Sequence, residues 1–101
     1  MYNIKVLDLS SVDVPDIFTP NGDGDNDVIY VKGWGIKKLL EFSIYNRWGE
    51  KVFTTTDINV GWDGTYKGKR QNMDTYAYYV KVETYIDPQP LTKKGNITLI
   101  R

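Results

Sequence analysis

Hydrophobic and polar residues alternate along several short segments of this chain, which is typical of β-strands that bury one face. Segment 39–46 alternates most regularly, and its apolar positions are Leu40, Phe42 and Ile44. A turn at 47–50 and a second β-prone run follow, so residues 39–55 are predicted to form a hairpin. Segment 75–86 is the longest, and one of its faces carries Tyr76, Tyr78, Val80 and Val82.

Weaker patterns predict the remaining strands and the segments that join them. Further β-prone runs lie at 2–7, 28–32 and 96–101, and turn-forming or polar segments lie at 10–16, 21–27, 33–35, 56–74 and 87–90. No segment is long enough and capped well enough to predict a helix. Short strands joined by turns predict one all-β domain over residues 1–101, folded as an antiparallel β-sandwich of about seven strands.

Composition narrows the classes of function. With 101 residues, of which 41% are hydrophobic, the chain can build one modest core. Thirteen basic residues balance thirteen acidic ones, and the basic residues are scattered, so we expect no nucleic-acid partner. No apolar run approaches the ~20 residues that span a bilayer, so no transmembrane segment is predicted.

The chain contains neither cysteine nor histidine. Their absence excludes disulfides, thiolate metal sites and the commonest general base. A carboxylate pair such as Asp63 with Asp23 or Glu50 has the chemistry for glycoside hydrolysis, but nothing in the sequence selects such a pair. We therefore predict that the domain is not an enzyme.

The acidic loop at 21–27 is the best candidate for a metal site. Asp23, Asp25 and Asp27 alternate as in calcium-binding loops, and Asn21 could add a further oxygen ligand. Calcium is the only cofactor that the sequence suggests. A complete EF-hand is absent, because Trp34 stands where the closing glutamate would be needed. Two hypotheses remain open: a calcium site, and a rigid turn held by side chain–backbone hydrogen bonds.

Two tryptophans each lie beside a turn that contains glycine. These are Trp48 with Gly49, and Trp62 with Asp63 and Gly64. Each indole could be an exposed stacking platform or could pack into the core and fix its turn. We interpret both as structural and expect both to be buried, since tryptophan is largely buried on average.

Three groups of motifs occur in order along the chain. They are FTPNGDG at 18–24 with ND at 26–27; IYNRWGE at 44–50 with VF at 52–53 and WDGT at 62–65; and YAYYV at 76–80 with GNITLIR at 95–101. In this order and spacing, over residues 14–101, they resemble the gliding-motility-associated C-terminal domain of Bacteroidetes. This family is also called the type B sorting domain of the type IX secretion system. The chain has Asp74 and Thr75 where many members place a glycine before the tyrosine-rich strand.

The resemblance implies a fold, a role and partners. It implies an immunoglobulin-like sandwich that follows a fused N-terminal cargo, either an adhesin or an enzyme. The type IX secretion machinery, with an outer-membrane protein of the PorP/SprF family, would recognise the folded domain in the periplasm. The cargo would then cross the outer membrane to the cell surface or the medium.

Two parts of the chain are candidates for partner binding. Tyr79 and Tyr85 share a strand face opposite Tyr76 and Tyr78, and an exposed row of tyrosines would suit docking. The last strand would complete the sheet, and at a sheet edge it could also pair with a partner. The residues of this last strand are Asn96, Ile97, Thr98, Leu99, Ile100 and Arg101.

The alternative function is a carbohydrate-binding or adhesion-type module of a surface protein. Exposed aromatic residues and a calcium-stiffened loop would suit such a module. A sorting domain must end its protein, whereas a binding module has no fixed position. Ending on a strand is therefore expected to favour sorting.

Overall fold

Nine strands form the computed structural model, which describes residues 11–20, 22 and 27–100. No helix occurs among these residues, so none of them forms a helix that could cross a membrane. The all-β class is confirmed, and the first predicted strand at 2–7 lies outside the described residues. The strands are β1 (Ser11–Asp13), β2 (Ile17–Phe18), β3 (Lys32–Trp34), β4 (Ile36–Tyr45), β5 (Lys51–Thr55), β6 (Thr65–Tyr66), β7 (Lys69–Arg70), β8 (Asp74–Thr84) and β9 (Leu91–Leu99).

The main sheet contains five strands in the order β2-β9-β8-β4-β5. Its central pairs are antiparallel, but β2 runs parallel to β9, with Ile17 opposite Thr98. The sheet is therefore mixed rather than purely antiparallel. β2 is an edge strand of this sheet, and Pro15 and Pro20, which cannot donate to a ladder, lie on either side of it.

A second layer closes the sandwich over the main sheet. It contains the β1–β3 pair and an isolated bridge between Ile29 and Trp62. Apolar side chains of both layers meet in one continuous core. The core residues are Val12, Val14, Phe18, Ile29, Val31, Leu39, Phe42, Ile44, Val52, Trp62, Tyr76, Tyr78, Val80, Val82, Ile97 and Leu99.

A tyrosine at the start of β8 ties the sandwich to the preceding loop. The hydroxyl of Tyr76 donates a hydrogen bond to the carbonyl oxygen of Asn72 at 2.7 Å. Immunoglobulin-like domains use the same device, in which a tyrosine at the start of a late strand bonds back to the backbone a few residues upstream. This bond and the two-layer packing support the immunoglobulin-like description.

The predicted hairpin at 39–55 forms as β4 and β5, but an irregularity changes its face pattern. The register of β4 against β8 shifts between Leu39 and Glu41. Because a bulge re-aims the side chains beside it, Leu39 enters the core and Leu40 lies only half-buried. Leu40 is therefore less buried than Phe42, although the alternating pattern placed the two residues on one face.

Several connectors predicted from the sequence form strands instead. The predicted break at 33–35 and the connector at 10–16 contribute to the β1–β3 pair, in which Gly33 faces Val12. A Cβ at Gly33 would lie 1.9 Å from the backbone oxygen of Ser11, so glycine is there for close approach of two strands. Two residues each of β6 and β7 pair within the segment 56–74. These extra pairs raise the strand count from about seven to nine.

Candidate functional site

The strand register brings three segments to one end of the main sheet, which we name the distal end. Tyr45, the last residue of β4, pairs with Ala77 near the start of β8. Asp74, the first residue of β8, pairs with Leu99 at the end of β9. The distal end therefore contains the β4–β5 turn (46–50), the start of β8 and the end of β9.

The β4–β5 turn is held by the side chain of Asn46. Its Oδ1 accepts the backbone N–H groups of Trp48 at 3.0 Å and Glu50 at 2.9 Å. Its Nδ2 donates to Glu50 Oε1 at 3.0 Å. Gly49 has φ +82°, a left-handed conformation that glycine adopts without strain. The short polar and glycine residues thus fix the backbone around Trp48.

Trp48 is 75% exposed, so the expectation that it is buried is wrong. It lies in the turn of the β4–β5 hairpin, level with the start of β8, and most of its surface faces solvent. The guanidinium carbon of Arg47 lies 5.3 Å from the centre of its ring. Arg47 Nη1 in turn donates to Asp74 Oδ2 at 3.2 Å, which links the turn to the start of β8.

Trp62 has the opposite environment, with 1% of its surface exposed. Its ring lies 5.3 Å from the ring of Phe18 and 5.0 Å from that of Tyr76, centre to centre. Its Nε1 donates to the carbonyl oxygen of Thr65 at 2.8 Å. This indole therefore links β2, β8 and the following turn inside the core.

The turn after Trp62 is fixed by its own side chains. Asp63 Oδ1 accepts the backbone N–H of Thr65 at 3.0 Å and its hydroxyl at 2.6 Å. Gly64 is buried with φ +86°, and its carbonyl oxygen accepts the N–H of Gln71 at 2.8 Å. These contacts give Asp63 and Gly64 a structural role.

The last strand is paired on both sides where it ends. The N–H of Thr98 donates to Asp16 O at 2.7 Å, and that of Ile100 donates to Phe18 O at 3.0 Å. On its other side β9 pairs with β8. Within the segment 96–101 that was predicted to offer an edge to a partner, residues 98–100 are therefore not a free edge, because β2 pairs with them.

The side chains of this strand divide between core and surface. Ile97 and Leu99 are buried in the core, whereas Asn96 and Ile100 are exposed and Thr98 is half-buried. Arg101 lies outside the described residues. A partner that docks here would meet the exposed side chains of Asn96 and Ile100.

The tyrosine row divides between two regions of the sheet. Tyr79 is half-buried in the middle of β8, where Lys94 Nζ lies 5.9 Å from its ring centre. Tyr85 is exposed beyond the far end of β8, where its N–H donates to Gly35 O at 3.3 Å. The docking role of these two tyrosines stays a prediction.

Of the four residues predicted to bind calcium, only Asp27 is described. It is half-buried, and its Oδ1 accepts the N–H of Gly22 at 3.0 Å. Asn21, Asp23 and Asp25 lie outside the described residues. An open groove of about 330 Å³ lies beside Asp27, with Ile17 and Tyr30 among its lining residues.

One ion pair on the surface shifts the pKa values of both its members. Lys93 Nζ lies 2.9 Å from Asp13 Oδ1. This hydrogen bond holds the pKa of Asp13 below its ordinary 3.8 and raises the pKa of Lys93 above its ordinary 10.5. Burial raises the pKa of the nearby Tyr78 above its ordinary 10.0. These pKa shifts make the free energy of unfolding depend on pH. None of the three groups lies at the distal end.

Asp74 is a site residue that no pattern in the sequence indicated. Arg47 is next to Trp48 in the turn, and the sequence already favours stacking of its guanidinium on a neighbouring aromatic ring. Asp74 lies 27 positions away, and only the pairing of β4 with β8 brings it to the turn. No local pattern carries that information.

Comparison with known proteins gives a match to one family model. The family model described as CHU_C Type IX secretion signal domain matches residues 12–99. No curated protein matches the chain. The matched range includes the Trp48 turn, all of β8 and all of β9.

Proposed function

Because the chain belongs to the type IX secretion signal domain family, we propose that it is a non-catalytic sorting domain that carries a fused adhesin or enzyme across the outer membrane. The match over residues 12–99 carries this proposal, since it covers nearly all of the described fold. The route runs through the periplasm to the cell surface or the medium. The partners are the type IX machinery and an outer-membrane protein of the PorP/SprF family.

The hydrogen bonds that Asp63 and Glu50 accept support the proposal that the domain is non-catalytic. Asp63 Oδ1 accepts hydrogen bonds from the backbone N–H and the hydroxyl of Thr65. Glu50 Oε1 accepts one from Asn46 Nδ2. A general acid or nucleophile needs a carboxylate that is free to approach a substrate. Asp63 instead holds the backbone of its turn, and Glu50 bonds to the side chain of Asn46, which holds the β4–β5 turn.

The proposal is tested by fusing the 101-residue chain to a fluorescent cargo behind a Sec signal peptide. The host is a gliding bacterium that carries the type IX machinery and the matching PorP/SprF-family protein. Parallel strains lack either the translocon or that outer-membrane protein. We expect extracellular fluorescence in the complete strain and periplasmic fluorescence in both deletions.

Deleting residues 96–101 is a poor control, because it removes Ile97 and Leu99 from the core. Loss of export would then reflect unfolding as well as loss of recognition. The strain deletions leave the domain intact and avoid this ambiguity. Folded cargo that stays in the periplasm of the complete strain would refute the sorting function. Export without the PorP/SprF-family protein would refute that partner alone.

A further inference from the structure

The described contacts show no role for the exposed tryptophan at the distal end in stabilising the domain. Trp48 contacts its own turn and Arg47, and it is not part of the core that the described residues form. Leaving an indole in water forgoes the ~1.5–3 kcal/mol that burial of a large apolar side chain provides. A binding event that buries the ring would recover that free energy.

The turn holds this indole in place before any partner arrives. Asn46 fixes the backbone on both sides of Trp48 through its Oδ1 atom. Arg47 lies over the ring, and Asp74 holds Arg47 through the 3.2 Å ion pair. Preorganisation of this kind lowers the entropic cost of association, because few side chains remain to be ordered.

The chemistry of the surface indicates the kind of partner. The Arg47 side chain is 62% exposed, and its guanidinium has more N–H donors than the one that Asp74 accepts. The indole N–H of Trp48 has no acceptor among the described residues. A matching partner therefore offers an apolar pocket whose rim carries carboxylate or carbonyl oxygens. Tryptophan and arginine are also the residues most enriched among energetic hot spots of protein interfaces.

These contacts favour a protein over a carbohydrate. A sugar site adds polar side chains that converge beside the aromatic ring and are free to bind hydroxyl groups. Here the neighbouring polar groups, Asn46 and Glu50, already bond to each other and to the turn. What remains available is a projecting indole and a guanidinium, which suits insertion into a pocket of a protein.

The position of the turn leaves it accessible. The chain enters the described sandwich at Ser11, which pairs with Trp34. Trp34 precedes Gly35, whose carbonyl oxygen accepts the N–H of Tyr85 past the far end of β8. Since β8 has eleven residues, about 30 Å of strand separates that end from the distal end. Ser11 and the Trp48 turn therefore lie at opposite ends of the sandwich.

We propose that Trp48, held by Arg47 and Asp74, is the anchor through which the domain docks into an apolar, acceptor-rimmed pocket of its secretion partner. This inference rests on the proposed sorting function. Arg47 acts by orienting the ring and by facing the rim of the pocket. Asp74 acts through Arg47.

Export of the same fluorescent fusion tests the anchor, with Trp48→Ala compared with Trp34→Ala. Trp34 is a matched control, since it is a tryptophan that is 61% exposed at the opposite end of the sandwich. We expect Trp48→Ala to reduce extracellular cargo about tenfold or more, as removal of an anchor residue does. We expect Trp34→Ala to stay within about twofold of the unmodified chain. Circular dichroism and melting of the purified variants confirm that both fold.

A photo-crosslinking amino acid placed at position 48, and separately at 34, provides a second measurement. We expect position 48 to crosslink to a component of the type IX machinery and position 34 not to. If the unmodified fusion is exported and folded Trp48→Ala is exported equally, the anchor is refuted while sorting stands. If the unmodified fusion is itself retained, sorting fails first. Loss of glycan-array binding by Trp48→Ala, with export unchanged, would assign the indole to a sugar and overturn the proposal.

Discussion

The two tryptophans that look alike in the sequence should respond oppositely to the same conservative change. Trp62 is buried against Phe18 and Tyr76, whereas Trp48 projects from the β4–β5 turn into solvent. We compare Trp62→Phe with Trp48→Phe in the 101-residue chain. Phenylalanine keeps an aromatic ring at each site but lacks two ring carbons and the N–H of indole.

The magnitude for Trp62 follows from what the core loses. Two buried ring carbons at ~0.8 kcal/mol each contribute about 1.6 kcal/mol. Loss of the Nε1 hydrogen bond to Thr65 O adds about 1 kcal/mol. We expect Trp62→Phe to lower the free energy of unfolding by about 2.5 kcal/mol, which corresponds to a fall in Tm of roughly 10–20 °C for a domain of this size. Trp48→Phe should change the free energy by less than about 0.5 kcal/mol.

Equilibrium urea unfolding followed by far-ultraviolet circular dichroism measures both changes. This signal reports the backbone and does not depend on the indole that each variant removes. The dependence of the free energy on urea should be the same in all three proteins, because the surface exposed on unfolding is nearly unchanged. Equal destabilisation by the two substitutions would refute the difference in burial. So would a stable Trp62→Phe beside a strongly destabilised Trp48→Phe.

Three further predictions concern stability. Tyr76→Phe removes the hydroxyl that bonds to Asn72 O, and since Asn72 is exposed and water can replace the donor, we expect a loss of about 1 kcal/mol by urea unfolding; no loss would exclude a stabilising role for this bond. Asp13→Asn should cost less than about 1 kcal/mol at neutral pH. The unmodified pair should lose its contribution as pH falls through the lowered pKa of Asp13 or rises through the raised pKa of Lys93, so the difference between Asp13→Asn and the unmodified chain should vanish at both extremes in pH-dependent melting. Calcium is expected to raise the Tm of the unmodified chain but not of Asp25→Ala; an unchanged Tm in the unmodified chain would contradict a calcium site.

Local patterns in the sequence were enough to predict the central strands. Alternation over 75–86 placed Tyr76 and Val80 on one face, and both lie in the core. The hairpin at 39–55 also formed, because its turn residues and its flanking strands act over short distances. Such features depend on side-chain period and turn chemistry, which are properties of neighbouring residues.

Short strands were missed because their stability comes from distant partners. The sequence around Gly33 looks like a break, since glycine weakens an isolated strand. Here glycine is what lets the chain pass close to Ser11, 22 positions earlier. The start of β9 at Leu91 was missed in the same way, because its pairing with Val82 across the sheet extends the strand well before residue 96.

The sequence alone determined that this chain is an all-β domain, and its ordered motifs indicated the secretion-signal family. It also excluded disulfide, thiolate and imidazole chemistry, because it holds no cysteine or histidine. Only the tertiary structure decided that Trp62 is buried and Trp48 exposed, although each stands beside a glycine-containing turn. Burial depends on whether the facing layer covers the residue: Phe18 and Tyr76 of the main sheet pack against Trp62, whereas the β4–β5 turn leaves Trp48 in solvent. The pairing of β4 with β8 likewise brought Asp74 to Arg47, since register acts across the sheet and not along the chain.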